Sequence, residues 1–217
     1  MSTGPNYEYR WIHSGFVGQD LLEELSTLYS GHYGVWGVAA EKPFRPIRLS
    51  AERIRKWLLH RESRLAYASL NGRIVGYAIA VQPKLPRLGV VSWVTQLVVH
   101  ADHRHRNVGK RLLYSIWEFS DRFAWGLVTA NPYAVRALEK ATRRRCSPQR
   151  IARHSSELLT LAGTHAPYLR TDIENLVDVT TSRVNTEFFI DHTELLYMLK
   201  DVIKPETPWT LGELPEG

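Results

Sequence analysis

Val91-Ser-Trp-Val-Thr-Gln-Leu-Val-Val99, followed by His100-Ala-Asp-His-Arg104-His-Arg106-Asn107-Val-Gly109-Lys110-Arg-Leu-Leu113, is the stretch whose reading decides the fold. It describes a buried strand that runs through a short basic turn into a helix beginning near Asn107. A helix start leaves backbone N–H groups unpaired and carries a partial positive charge. Flexible residues there let a polyanion approach the backbone, and Arg104, Arg106 and Lys110 add positive charge. The turn therefore has the chemistry of a diphosphate cradle.

Working outward, Arg64 to Leu70 and Arg73 to Val81 are β-rich runs joined by Asn71-Gly72, the strongest short hairpin signal, a two-residue turn that needs positive φ. Before them, Tyr7 to His13 alternates as a first strand, Leu21 to Tyr29 has leucines on one helical face, and Ser50 caps a second helix over Ala51 to His60. Between these helices lies Gly31-His-Tyr-Gly-Val-Trp-Gly37, a loop rich in Gly and aromatics.

On the other side, the strand spans Gly89 to His100 and the helix runs from Asn107 to about Phe123 with Val108, Leu112, Ile116 and Phe119 as its buried stripe. Trp125 to Ala130 is a short apolar strand. Asn131-Pro132 starts another helix reaching about Thr142, with Pro well placed in the first turn. A strand–helix–strand link of this length implies a parallel pair. The expected fold is thus α/β of the α+β type, a mixed and mostly antiparallel sheet with a central parallel pair and helices on both faces. Beyond Arg143 the composition turns polar. Ser147 to Gly163 is expected to be helical, Val184 to Ile190 a late strand and His192 to Ile203 an amphipathic helix. We expect one domain over residues 1–217, a core of about 7–142 and a C-terminal elaboration of about 143–217.

With 28 basic and 22 acidic residues, the chain carries a formal charge of +6, which favours an anionic partner only modestly. Cys146 is the lone cysteine, so an internal disulfide and a cysteine metal cluster are excluded, and no metal site is expected. No run reaches the roughly 18 apolar residues of a membrane helix. A cytoplasmic protein without membrane attachment is the expectation.

The segment Val99-His-Ala-Asp-His-Arg104-His-Arg-Asn107-Val-Gly109-Lys-Arg-Leu112 resembles the acyl-CoA-binding signature of the GNAT N-acetyltransferase family, which is a strand followed by Arg or Gln, two residues, Gly, one residue, then Gly or Ala. Arg104 and Gly109 match; Asn107 stands at the middle Gly, a substitution that positive φ tolerates. Asn131-Pro-Tyr-Ala134-Val-Arg-Ala-Leu138-Glu139-Lys140 is similar to the family's Asn-x-x-Ala-x-x-x-Tyr-Glu-Lys helix, with Leu138 where the family has its Tyr. The resemblance is good over about Arg64 to Thr142.

It implies an acetyl-CoA-dependent N-acetyltransferase, with acetyl-CoA as acyl donor and direct transfer to a primary amine in a ternary complex. The parallel pair would be splayed to admit the thioester. Backbone groups of Leu97, Val98 and Val99 would pair with the pantetheine amides, one near Val98 or Val99 polarising the thioester. Backbone N–H groups of Arg104, His105, Arg106, Asn107, Val108, Gly109 and Lys110 would hold the diphosphate, and Asn131 would touch the cofactor arm. With no Tyr at 138, Tyr133 is the nearest acid on the second helix. No carboxylate lies between Val91 and Val99, so Glu187 and Asp191-His192 are the groups to examine for a base, His192 having a suitable ordinary pKa. The loop from Gly31 to Gly37, with His32, Tyr33 and Trp36, falls where the family builds its acceptor wall. The acceptor would be a small-molecule or peptide amine; nucleic acid is a less favoured partner, and a homodimer is a permitted assembly. The competing reading is a non-catalytic module on the same fold that senses acyl-CoA or binds nucleic acid or protein.

Overall fold

A computed structural model describes residues 5–59, 63–117, 124–166, 177–178, 182–184, 186 and 188–212. The chain gathers into two compact units, one of residues 1–33 with 47–127 and one of 34–46 with 128–217.

The first unit is built on the sheet. Its elements are β1 (Glu8–His13), α1 (Gln19–His32), α2 (Ala51–Leu58), β2 (Ser63–Leu70), β3 (Arg73–Val81), β4 (Lys84–Leu85), β5 (Gly89–Val99), α3 (Val108–Trp117) and β6 (Ala124–Leu127). The strand order is β1-β2-β3-β5-β4, with β6 also on β5; all pairs are antiparallel except β5 with β6. The mixed sheet expected from the sequence is therefore present. Asn71 and Gly72 turn from β2 into β3 at φ 52° and 77°, the left-handed pair a two-residue hairpin needs.

Alternation along β3 places one helix on each face. Gly76 faces α3: a Cβ there would lie 3.2 Å from both Leu112 Cδ1 and Val108 Cγ1, so the missing side chain lets the helix sit close. Tyr77 faces the other way, toward Tyr33 at the end of α1, and is fully buried. The core between these layers is aliphatic, with Leu22, Leu25, Ile54, Leu65, Ile79, Leu112 and Ile116 all inaccessible to solvent.

The second unit holds α4 (Pro132–Thr142), α5 (Pro148–Arg153), α6 (Ser155–His165), β7 (Val177–Asp178), β8 (Arg183–Val184) and α7 (Thr193–Val202). The side chain of Asn131 caps α4, Pro132 occupies its first turn, and Arg143 ends it in the left-handed region at φ 53°. The helical stretch expected over Ser147 to Gly163 is present as two helices, because the backbone leaves the helical region at His154. Two expectations are corrected here. Among the described residues of the expected late strand, Val184 pairs with Val177 beside Arg183 with Asp178, while Ile190 bridges to Trp36. That bridge belongs to a ribbon in which the Trp36 N–H donates to the Arg45 carbonyl, Gly37 to Phe189 and Asp191 to Val35, so part of the expected loop is paired backbone. The far ends expected for the second and third helices, His60 and residues 118–123, lie outside the described residues, as does Glu187.

Candidate active site

The parallel pairing of β5 with β6 ends at Val94 and Leu127. From Thr95 to Val99, β5 has a strand only on its β3 side among the described residues. The register slips by one residue between Ile79 and Ala80, leaving Thr95 as the extra residue of a bulge, with its hydroxyl donating to the Ile79 carbonyl at 3.3 Å.

Which groups face the open edge follows from the ladder. The His100 N–H donates to the carbonyl of Val75 directly opposite it. Hydrogen-bonded and non-bonded pairs alternate in an antiparallel ladder, so Val98 also bonds to β3 while Leu97 and Val99 turn their backbone groups outward. Of the three residues expected to meet a pantetheine arm, Leu97 turns both backbone groups to the open edge, Val99 turns its N–H there while its carbonyl accepts from Arg104, and Val98 is turned to its neighbour strand.

At the end of β5 the chain makes a 3-10 turn over Ala101–His103 and enters α3 through residues 104–107. His105 and Asn107 sit at φ 60° and 62°, the left-handed region that Asn tolerates. The helical ladder begins with the Arg111 N–H donating to the Asn107 carbonyl, so the N–H groups of Val108, Gly109 and Lys110 precede it. His105, Arg106 and Asn107 are exposed, and the ammonium of Lys110 lies 5.9 Å from the Tyr114 ring centre. An anion approaching here meets the positive end of α3 and unladdered N–H donors.

Arg104, expected to join the cradle through its backbone N–H, instead donates that N–H to the Ala101 carbonyl at 3.1 Å. Its guanidinium does not extend toward an anion: Nε donates to the Val99 carbonyl at 3.2 Å, and a terminal nitrogen donates to the His32 carbonyl at the end of α1. The signature arginine is a positioning group that fastens the turn to β5 and α1. Around it stand three histidines. The His32 and His100 rings are 3.8 Å apart and the His100 and His103 rings 5.3 Å. His32 Nδ1 accepts the Ala101 N–H at 3.3 Å, His100 Nδ1 accepts the Asp102 N–H at 3.2 Å, and His103 Nδ1 meets the Tyr7 hydroxyl at 3.0 Å. Burial, and then the neighbouring His100, hold His32 and His103 below the ordinary histidine pKa.

In the second unit, Asn131 spends its side-chain oxygen on the cap of α4, accepting from Tyr133 N–H at 2.9 Å and Ala134 N–H at 3.4 Å. Tyr133 donates its hydroxyl to Asp201 at 2.5 Å; burial and that carboxylate push its pKa up to about 12. A phenol so held is a poor proton donor to a thiolate. At the start of α7, Asp191 rather than His192 makes the cap, its carboxylate accepting the Thr193 N–H at 2.9 Å, and these bonds hold its pKa below the usual carboxylate value. His192 and Asp201 bracket α7, about 13 Å apart along the axis at 1.5 Å per residue. Tyr133, tied to Asp201, and His192 therefore stand at opposite ends of one helix and do not converge on one reacting bond.

The model of the acetyltransferase (GNAT) family matches residues 21–142. The chain belongs to this family. No curated protein matches it in sequence. Among solved structures, it is similar to the aminoglycoside acetyltransferase meta-AAC0020 from an uncultured soil metagenomic sample, in complex with sisomicin, at 16% identity and TM-score 0.45 over 62% of this chain and 86% of that one. It is also similar to ribosomal-protein-alanine N-acetyltransferase from Brucella melitensis biovar Abortus 2308, at 16% identity and TM-score 0.45 over 65% and 93%. A third is the aminoglycoside N-acetyltransferase AAC(6')-Iy in complex with CoA, at 14% identity and TM-score 0.45 over 67% and 92%. This GNAT chain departs from the family's helix pattern at Leu138, which is buried and apolar where the pattern has Tyr. Among its described residues, no helix is long and apolar enough to cross a membrane.

Proposed function

We propose that this GNAT chain moves an acetyl group from acetyl-CoA to a primary amine by direct transfer in a ternary complex. The observation that supports this most is the open edge of β5 from Thr95 to Val99, which runs directly into the turn before α3. An extended amide-bearing arm could pair with Leu97 and with the N–H of Val99, while its diphosphate met the N–H groups of residues 105–110. Arg104 would act on this site only through the turn it fastens.

In the reaction, the deprotonated amine attacks the acetyl carbonyl carbon, the C–S bond breaks and the thiolate takes up a proton, giving an N-acetylated amine and free CoA. The Leu97 N–H, further from the diphosphate turn than Val99, is our choice as polariser of the carbonyl. We assign His192 as base, since imidazole is the side chain whose chemistry suits proton removal near neutrality. Tyr133 is then a clamp between α4 and α7. Trp36, ring to ring with Phe188 at 4.8 Å, and the exposed Val38 and Phe44 give the paired ribbon an apolar surface that would favour an acceptor with an apolar part, whether small molecule or peptide. The cytoplasmic setting belongs to the same proposal.

The test is acetyl-CoA consumption, read as free thiol, across a panel of small-molecule and peptide amines, beside thermal stabilisation by acetyl-CoA. Stabilisation with turnover on some amine is the expected result. Stabilisation with no turnover across the panel would favour an acyl-CoA-sensing role; no stabilisation would remove the cradle itself.

A further inference from the structure

The corner between α4 and α5 carries charge that acetyl transfer does not use. From Lys140 to Arg153 the chain has Lys140, Arg143, Arg144, Arg145, Arg150 and Arg153 and no acidic residue, so this short stretch equals the formal +6 of the whole chain. Glu139, the carboxylate just before it, is buried and already shared, accepting from Arg136 and from Arg145 at 2.9 Å. The next carboxylate along the chain, Glu157, lies 3.4 Å from His154.

Local geometry turns the remaining cations outward. Arg143 takes the left-handed conformation that ends α4, and Ser147 caps α5 almost at once, its hydroxyl accepting the Arg150 N–H at 3.4 Å. Arg150 and Arg153 are three residues apart on α5 and so share a face. Arg150 also donates to the Arg145 carbonyl, which draws it over the turn. A helix C-terminus favours nearby cations, which suits Lys140 in the last turn of α4 and Arg150 and Arg153 in that of α5, but it is a local effect and does not account for the run from Arg143 to Arg145 between the two helices.

We propose that this corner docks the phosphodiester backbone of a nucleic acid, a role that goes beyond acetyl transfer and is independent of it. Five of the six cations are arginines, whose planar guanidinium matches phosphate oxygens in pairs. The exposed residues of the stretch, Lys140, Arg143, Arg144, Arg145, Gln149, Arg150 and Arg153, include no apolar side chain. A protein partner is anchored by buried aromatic or aliphatic residues at the centre of its interface, whereas a polyelectrolyte needs only charge.

The experiment uses the full chain with labelled single-stranded RNA and duplex DNA, followed by fluorescence anisotropy between about 50 and 200 mM salt. Binding is expected to weaken steeply with salt, and a preference between the two probes identifies the source of the backbone. The triple variant Arg143→Gln, Arg150→Gln, Arg153→Gln should lower the magnitude of the log–log salt slope by about 2, at about 0.7 per lost contact on a single strand, and weaken binding at least about tenfold at low salt. The corresponding triple lysine variant should keep the slope. Stabilisation by acetyl-CoA should be the same in all three proteins, which separates this proposal from the one above. No binding by the wild type at about 50 mM salt, equal binding by the glutamine variant, a lost slope in the lysine variant, or displacement by polyglutamate as effective as by unlabelled RNA would each overturn it.

Discussion

His32 Nδ1 accepts the backbone N–H of Ala101, tying the end of α1 to the turn that precedes α3. An imidazole can accept at Nδ1 only while that nitrogen is unprotonated. His100 makes the equivalent bond to Asp102.

A pH dependence follows. His32 and His103 have folded-state pKa values below the ordinary 6.5, so the unfolded chain binds protons first as pH falls. Stability from these groups is complete above about pH 6.5 and declines between the unfolded value and the lower folded one. Arg104 and Arg106 nearby oppose protonation further, while Asp102 favours it. Thermal melts between about pH 5 and 8 should show Tm rising with pH, with the dependence reduced in His32→Gln, whose side-chain oxygen can accept the same N–H. A His32→Gln profile as steep as wild type would detach the effect from this bond.

Arg104→Lys should weaken the chain more than a surface substitution does. One ammonium cannot reproduce the fork that reaches both the Val99 and His32 carbonyls. We expect a loss of about 1–2 kcal/mol in urea unfolding, discounted for partial exposure, with a weaker acetyl-CoA shift because the turn is less well held. An unchanged midpoint would mean that these bonds are marginal.

Asn107 tests the cradle through its backbone. At φ 62°, Asn107→Gly should preserve the turn, whereas Asn107→Val should cost about 1–2 kcal/mol and reduce stabilisation by acetyl-CoA. Gly109→Trp should abolish that stabilisation by covering the N–H groups at the start of α3. Retention of the full shift in Gly109→Trp would place the diphosphate elsewhere.

The two proton-transfer candidates separate by mutation. Tyr133→Phe removes a bond to Asp201 and should lower Tm by a few degrees while leaving kcat within about threefold. His192→Ala should lower kcat by about a hundredfold or more with acetyl-CoA stabilisation intact. The opposite pattern would return the acid role to Tyr133.

Tyr77 is fully buried, and its hydroxyl has no hydrogen-bond partner among the described residues. Burial raises its pKa well above the ordinary tyrosine value. Tyr77→Phe removes an unsatisfied polar atom and should stabilise the chain by about 1 kcal/mol, measurable by urea unfolding. Destabilisation of that size would reveal a partner for the hydroxyl.

Legibility in the sequence tracked how local each determinant is. Asn71-Gly72, the Asn131-Pro132 helix start and the left-handed Asn107 are written in adjacent residues, and each is found where its chemistry requires it. The ribbon from Val35 to Pro46 with Ile190 was not legible, because its pairing joins segments some 150 positions apart that have no alternation of their own. The inward turn of Arg104 was hidden for a related reason. A basic residue in a phosphate-binding pattern suggests charge for the ligand, and only the position of the His32 carbonyl shows that it serves the fold. The separation of Tyr133 from His192 depends on which end of α7 each meets, a distance no spacing in the chain expresses.

Arg136 is 8% exposed; besides Glu139, it donates to the carbonyls of Val202, Thr207 and Pro208. The last helix inside the matched segment is thus completed by acceptors that lie 66 to 72 positions downstream. A fragment trimmed to residues 21–142 would lose those carbonyls and the Trp209 ring that lies 5.5 Å from the guanidinium, opening this face of α4 to water. The limits of the family's homology are therefore not the limits of an excisable piece, and expression fragments should extend past Pro208.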